Sequence, residues 1–328
     1  MTPPADPPTA PPAPPGPDPA AAGLPRVAVV LATYNGARYL GAQLDSLAAQ
    51  TLPPALVLVS DDGSTDGSRD LVHRFADANP GLPVRLLDGP RCGAAQNFLS
   101  LLRAVPETVD CVAVADQDDV WLPGKLDRGA RALHGSAAPT LYCGATWVCD
   151  AGLGGRRMSR LPRRSPGFRH ALVQNIAGGN TMMLNRAALT LVQAASREPE
   201  AIVVHDWWLY QIITGAGGQV VFDPTPLLLY RQHGSNLIGA NHGLAAQGRR
   251  MLFLLSGRFR GWNDTNLRAL AASAHRLTPE NREILEGFAA LRDAPARERL
   301  RRLRHLGLYR DGMPGRASLW VGALLGKL

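Results

Sequence analysis

The stretch CVAVADQDDVWLPGKLD, residues 111–127, decides the fold. Its first five residues, 111–115, form an apolar run suited to a strand buried between helices on both faces. The run stops at three carboxylates, Asp116, Asp118 and Asp119, with Trp121 and Pro123 behind them. Open α/β sheets bind ligands just beyond the carboxyl ends of their strands. Three acids crowded there repel one another, so a positive partner belongs among them. A hard divalent cation such as Mg²⁺ or Mn²⁺ fits, because it takes oxygen ligands from carboxylates and phosphates. For such a triplet alone, the alternative is a solvated acidic turn with Asp119 capping a helix.

Upstream, the same grammar repeats. Residues 27–31 are a continuous apolar run ending in Ala32-Thr33-Tyr34-Asn35-Gly36, and Leu40, Leu44 and Leu47 then mark one helix face. Residues 56–59 give a second buried strand ending in Ser60-Asp61-Asp62-Gly63, and Asp66 is placed to cap a helix carrying Leu71, Val72 and Phe75. A short strand at 84–87 and a helix from 97 lead into the opening stretch. Strands alternating with helices imply a parallel sheet with right-handed crossovers. Neither GxGxxG nor GxxxxGK is present, which excludes a dinucleotide enzyme or a P-loop ATPase.

Downstream, residues 141–148 (LYCGATWV) read as one strand, 156–169 as an Arg-rich loop, and 180–184 (NTMML) as a strand after Gly178-Gly179. His205-Asp206-Trp207-Trp208 opens a helix, 220–222 is a strand, and 227–230 leads into Arg231-Gln232-His233-Gly234-Ser235-Asn236. Beyond 237 the pattern is helical, with amphipathic segments at 245–256, 265–276, 280–292 and 296–306. The last ten residues are apolar but too short to span a bilayer; beside so many arginines they suit a membrane surface, the cover of the main domain or a second copy.

Residues 1–240 hold 19 Lys or Arg against 20 Asp or Glu, whereas 241–328 hold 16 against 7. The basic excess belongs to the tail, which argues against a nucleic-acid groove in the main domain and for contact with an anionic surface. Residues 1–25, rich in Pro and Ala, read as a disordered arm without the features of a signal peptide. Four scattered cysteines suggest neither a disulfide framework nor zinc, and a reducing cytosol suits them.

VVLATYNGARYL, LVSDDGSTDGS, ADQDDVWLPGKL, GGNTMMLNR, HDWWL and YRQHGSN stand in this order along the chain. Together they resemble a family 2 glycosyltransferase of the GT-A fold, most similar to bacterial rhamnosyltransferase-type members. The resemblance spans 26–236 and implies an α/β, Rossmann-like and mostly parallel sheet with helices on both faces; the residue pattern adds a basic helical extension at 237–328. It implies that Thr33, Tyr34, Asn35, Asp62, Asp116 and Arg231 receive a dTDP- or UDP-sugar, and that Asp118 and Asp116, with His233 nearby, hold Mg²⁺ or Mn²⁺. Asp206 falls at the catalytic-base position, and Gly178, Gly179, Asn180, Trp207 and Trp208 on the acceptor side. Members more usually carry a cysteine where Gly179 stands. The QxxRW motif of processive synthases is absent, which favours single additions.

The chemistry suits these residues. A cation and Arg231 would neutralise the leaving diphosphate, and Asp206 would take the proton of the attacking hydroxyl. One base and no covalent nucleophile imply inversion. The expected enzyme is cytoplasmic or on the inner membrane face, and adds one sugar to a cell-surface glycan or lipid-linked acceptor. The alternatives are an inactive scaffold of the same fold and, with less support, a sugar nucleotidyltransferase.

Overall fold

The computed structural model describes residue 23, residues 25–234 and residues 257–328. Nearly all of the arm expected at 1–25, the helix expected at 245–256, and Ser235 and Asn236 lie outside the described residues. The first half follows the expected alternation: β1 (Val27–Thr33), α1 (Ala37–Ala48), β2 (Leu56–Asp61), α2 (Ser68–Ala78), β3 (Val84–Asp88), α3 (Ala94–Ala104) and β4 (Cys111–Ala115). After β5 (Val120–Trp121) come α4 (Lys125–Leu133), β6 (Thr140–Gly144), β7 (Trp147–Cys149), β8 (Arg157–Met158) and α5 (Phe168–Ala171). Then follow β9 (Met183–Asn185), α6 (Arg186–Ala195), α7 (His205–Gly215), β10 (Gln219–Asp223) and β11 (Leu228–Arg231). The C-terminal helices are α8 (Arg258–Ala272), α9 (Pro279–Arg292), α10 (Ala296–Leu306) and α11 (Gly312–Leu324).

Seven strands form the main sheet in the order β10-β6-β9-β4-β1-β2-β3. All neighbours run parallel except β9, which is antiparallel to both β4 and β6. Side chains alternate across the sheet, and each face has its own core. Val27, Val29, Leu31 and Ala113 pack with Leu40, Leu44 and Leu47 of α1 and Leu126 of α4. Ala28, Val30, Val112 and Val114 pack on the other face with α3, α6 and α7, in a core that continues into Phe288, Leu303 and Leu319 of the C-terminal helices.

Downstream, the structure departs from the expected pattern at several points. LYCGATWV is not one strand: it breaks at Gly144, and β7 leaves for a second sheet of order β5-β11-β7-β8. Gly144 abuts Asp223, whose carbonyl accepts the N–H of Ala145, so the chain turns where a side chain would crowd. NTMML is a strand only from Met183; Gly179–Thr181 is a 3-10 turn. Asp66 is not the N-cap of α2, a place taken by left-handed Gly67, although its carboxylate does accept the N–H of Ser68. The helix expected at 265–276 starts earlier, at Arg258.

Candidate active site

The ends of β1, β2 and β4 open into a cleft of about 3160 Å³ that runs across to α7 and the start of α11. Its first wall is made of loops that hold each other. Gln117, between the acids after β4, accepts from Thr33 Oγ1 at 2.7 Å and Tyr34 N at 2.9 Å, and its amide donates to Tyr34 O at 3.2 Å. A β-carbon at residue 36 would run into the Gln117 side chain, so this closeness requires Gly36. Asn35, left-handed at φ 46°, accepts from Thr65 N, and Ser64 Oγ accepts from Asn35 N. Tyr34 stays exposed on the rim.

The two acids after β2 divide their work. Asp62 accepts from Arg91 N at 2.7 Å and Gly93 N at 2.8 Å, fixing the loop after β3. Asp61 accepts from Gly63 N and Ser64 N through Oδ1, while its buried Oδ2 has no hydrogen-bond partner among the described residues. Both line the cleft. Asp61 thus joins the expected Asp62 at the site.

Asp116, Asp118 and Asp119 each offer a carboxylate oxygen within 4.8 Å of the others. Asp119 caps no helix. It is fully buried, accepting from Asn180 Nδ2 at 2.5 Å and Arg231 N at 3.1 Å, and it anchors the pair above it. Asn180, expected on the acceptor side, also lines the cleft but spends its amide on Asp119. Asp118 and Asp116 face the cleft, and His233 Nε2 lies 2.8 Å from Asp118 Oδ2. Burial first, then the charges of Asp118 and Asp206, push the Asp116 carboxyl up to about 7. Asp119 is raised well above its ordinary value by burial and by Asp116 and Asp118. A divalent cation is the group that would reverse both shifts. The oxygen-rich donor set, mutually repelling and partly open to the cleft, fits one.

A positive charge that the sequence reading missed lies inside the protein. Lys125 Nζ, buried, sits 3.5 Å from the centroid of the Trp121 ring and has no hydrogen-bond partner among the described residues. Burial lowers it to about 7, against the opposing pull of Asp119 and Asp116. The K of LPGK was in view; only the three-dimensional packing aims it at the acids.

Arg231 is buried, and its guanidinium donates to Asp118 O at 2.8 Å and Ala151 O at 2.6 Å, with Cζ 4.5 Å from the Tyr39 ring centroid. It braces the acidic loop rather than facing the cleft, contrary to the expectation that it meets a diphosphate. His233 stacks on the same tyrosine with centroids 4.7 Å apart.

Across the cleft, Asp206 lies in the first turn of α7. Its carboxylate accepts from Trp207 N at 2.6 Å and Gly179 N at 3.2 Å, and Asn175 adds a side-chain bond. Burial outweighs these donors and raises it to about 6. Trp207 lines the cleft, but Trp208 is wholly inside the core and cannot touch a ligand, so its acceptor role is withdrawn. His205 stacks on Phe98 at 3.9 Å, and burial keeps it neutral by lowering it to about 3. A β-carbon at Gly179 would collide with its Nε2. The imidazole therefore occupies the room that a side chain at 179 would need.

Residues 28–210, more than half of the chain, match the family described as Glycosyl transferase family 2. The protein belongs to that family. A dTDP-rhamnosyl transferase, RfbG of Shigella flexneri, is 27% identical over 228 residues, covering 67% of this chain and 78% of that protein. In fold, this family 2 glycosyltransferase resembles a mannosyltransferase of Pyrobaculum calidifontis solved with GDP-Man and Mn²⁺. That likeness has a TM-score of 0.54 and 21% identity, and covers 93% of this chain and 81% of that one. It also resembles residues 1–349 of S. aureus TarS solved with UDP-GlcNAc, with a TM-score of 0.53, 14% identity, and coverage of 92% and 90%. The GT-A fold and the transferase class expected from the motifs are thus correct.

Proposed function

We propose that this glycosyltransferase moves one sugar, with inversion, from a nucleotide-diphosphate donor to a hydroxyl of a glycan or lipid-linked acceptor. The carrying observation is that Asp206, half-buried and raised to about 6, shares one cleft with the Asp116 and Asp118 pair. Residues between Thr33 and His233 supply these groups, and Phe259, Trp262 and the start of α11 complete the far wall.

Thr33 and Tyr34, held by Gln117, and Asn35, held by Ser64 and Thr65, receive the nucleoside end beside Asp61 and Asp62. Asp118 and Asp116 would hold Mg²⁺ or Mn²⁺, with His233 on the Asp118 carboxylate. Such an ion supplies Lewis-acid neutralisation of the leaving diphosphate. Asp206 Oδ accepts the proton of the acceptor hydroxyl, and its position near neutrality suits a general base. Gly179 N–H and the Asn175 amide keep that carboxylate oriented. Without a covalent nucleophile the displacement is single, which inverts the anomeric centre. The likeness to RfbG favours dTDP-rhamnose over a UDP-sugar as donor. The reaction site is the inner face of the cytoplasmic membrane, with no nucleic-acid partner.

Calorimetry with dTDP, UDP and GDP, each with Mn²⁺, Mg²⁺ or EDTA, tests this reading on the wild type and Asp118→Ala. Metal-dependent binding of one nucleotide, lost in the variant, is expected. Absence of binding under every metal condition would leave the chain as an inactive scaffold of this fold.

A further inference from the structure

Helix α11 is apolar on both faces. Its exposed positions are Met313, Pro314, Arg316, Ala317, Trp320, Val321 and Leu324, followed by Leu325 beyond its end. At 100° per residue, Met313, Ala317, Trp320 and Leu324 fall on one line, with Val321 and Leu325 beside it. Arg316 is the one charged residue among them. Trp320 is 40% exposed, Leu324 48% and Leu325 49%, a density of bare apolar groups that a surface helix does not carry without a use. The opposite face, Leu319 and Ala323, is sealed in the main core, so the helix is not free to turn over.

We infer that this outer face of α11 docks onto an anionic lipid surface. Three observations select that occupant. Residues 312–328 contain Arg316 and Lys327 and no acid. The neighbouring α10, whose Arg299 donates to Ala323 O and Leu324 O, exposes Arg297 and Arg304, with Arg301 paired to Glu298 beside them. Among the described residues no helix is long and apolar enough to cross a membrane; a helix of 13 residues lying flat, with an apolar face, a tryptophan and a cationic border, suits the interface instead. Acidic headgroups complement these arginines.

The stripe also has a direction. Met313 and Pro314, at its start, form part of the cleft wall. Docking along α11 therefore turns that end of the cleft toward the bilayer, where a lipid-carried hydroxyl would enter. This last consequence rests on the acceptor reading above; the docking itself does not.

Flotation of the full chain with phosphatidylcholine vesicles, with and without phosphatidylglycerol, tests it. The wild type should float with the anionic vesicles and detach as salt screens the headgroups. Trp320→Glu combined with Leu324→Glu should weaken partitioning roughly ten-fold or more, with the melting temperature and nucleotide binding unchanged. Should that variant fold poorly, Arg316→Glu with Lys327→Glu keeps the apolar face and should weaken the preference for phosphatidylglycerol several-fold. Unchanged flotation of either well-folded variant overturns the proposal. So does a wild type that floats with neither vesicle, including one that sediments as a dimer broken by the Trp320 and Leu324 changes. Nucleotide binding is read separately, so its failure would count against the donor site alone.

Discussion

On the strand-end side of the cleft, loops from β1, β2 and β4 clasp one another directly through polar bonds such as Gln117 to Thr33 and Tyr34, and Asn35 to Thr65. On the far side, the wall is assembled from distant stretches of chain: residues 160–163, 200–204, Trp262 and the start of α11. The first side is a set of fixed hydrogen-bonding groups suited to a constant part of a ligand. The second is a mosaic of apolar groups and arginines whose shape can vary without disturbing the sheet. The nucleotide is the constant part of the proposed reaction, and the acceptor is the variable part.

The sharpest way to separate the two sides is Asp206→Asn. Transfer should fall by about 10²–10⁴-fold, while metal-dependent nucleotide binding stays within a factor of about two of wild type. Comparable loss of binding would place Asp206 on the nucleotide side and break the division. The same pair of proteins carries a pH signature. The Asp206 carboxyl is raised in the folded state to about 6 from an ordinary 3.8. Its contribution to wild-type stability is complete below the ordinary value and is lost as pH rises through about 6. The Asn variant should therefore gain stability relative to wild type across that window, read by thermal melts. Wild-type transfer should lose activity as pH falls through the same region.

Gln117→Ala removes three hydrogen bonds from the first side. Nucleotide affinity should drop about ten-fold, from roughly 1–2 kcal/mol of lost ordering, with acceptor KM unmoved. An effect on acceptor KM alone would contradict the division. Gly179→Ala drives a methyl group into His205, and overpacking there should cost about 1–3 kcal/mol of stability. Adding His205→Ala should restore much of that loss. Equal stability of Gly179→Ala and wild type would show that the imidazole has somewhere else to go. Smallest is Asn180→Ala, which leaves one oxygen of buried Asp119 without its donor and should lower stability by about 1–2 kcal/mol.

The strand ends were legible because buried parallel strands write themselves as apolar runs, and the loops after them must carry polar groups. Asp62, Asp116, Asp118, Asp206 and Gly179 all reach one cleft, as the motif order implies. What stayed hidden depends on long-range packing. The second sheet is made of strands of two to four residues, too short for a periodic signal, and exists because β11 pairs with both β5 and β7. Gln117 and Lys125 stood in the quoted stretch, yet nothing in a linear pattern says that one side chain reaches back 84 residues or that the other turns under the acids. Trp208 was misread because neighbours in a helix point about 100° apart, and only one of the two tryptophans turns toward the cleft.

The reversed direction of β9 has a bearing on how the molecule assembles in time. Because β9 runs against its neighbours, the chain enters it at the cleft, and Asn180 meets Asp119 across 61 residues of sequence. Arg231 closes on the same carboxylate across 112. Contacts spanning such distances form late, after the locally connected strands have collapsed. The acidic cluster is thus completed only once β9 and β11 are in place, and a nascent chain released before residue 231 would hold most of a sheet but no finished site.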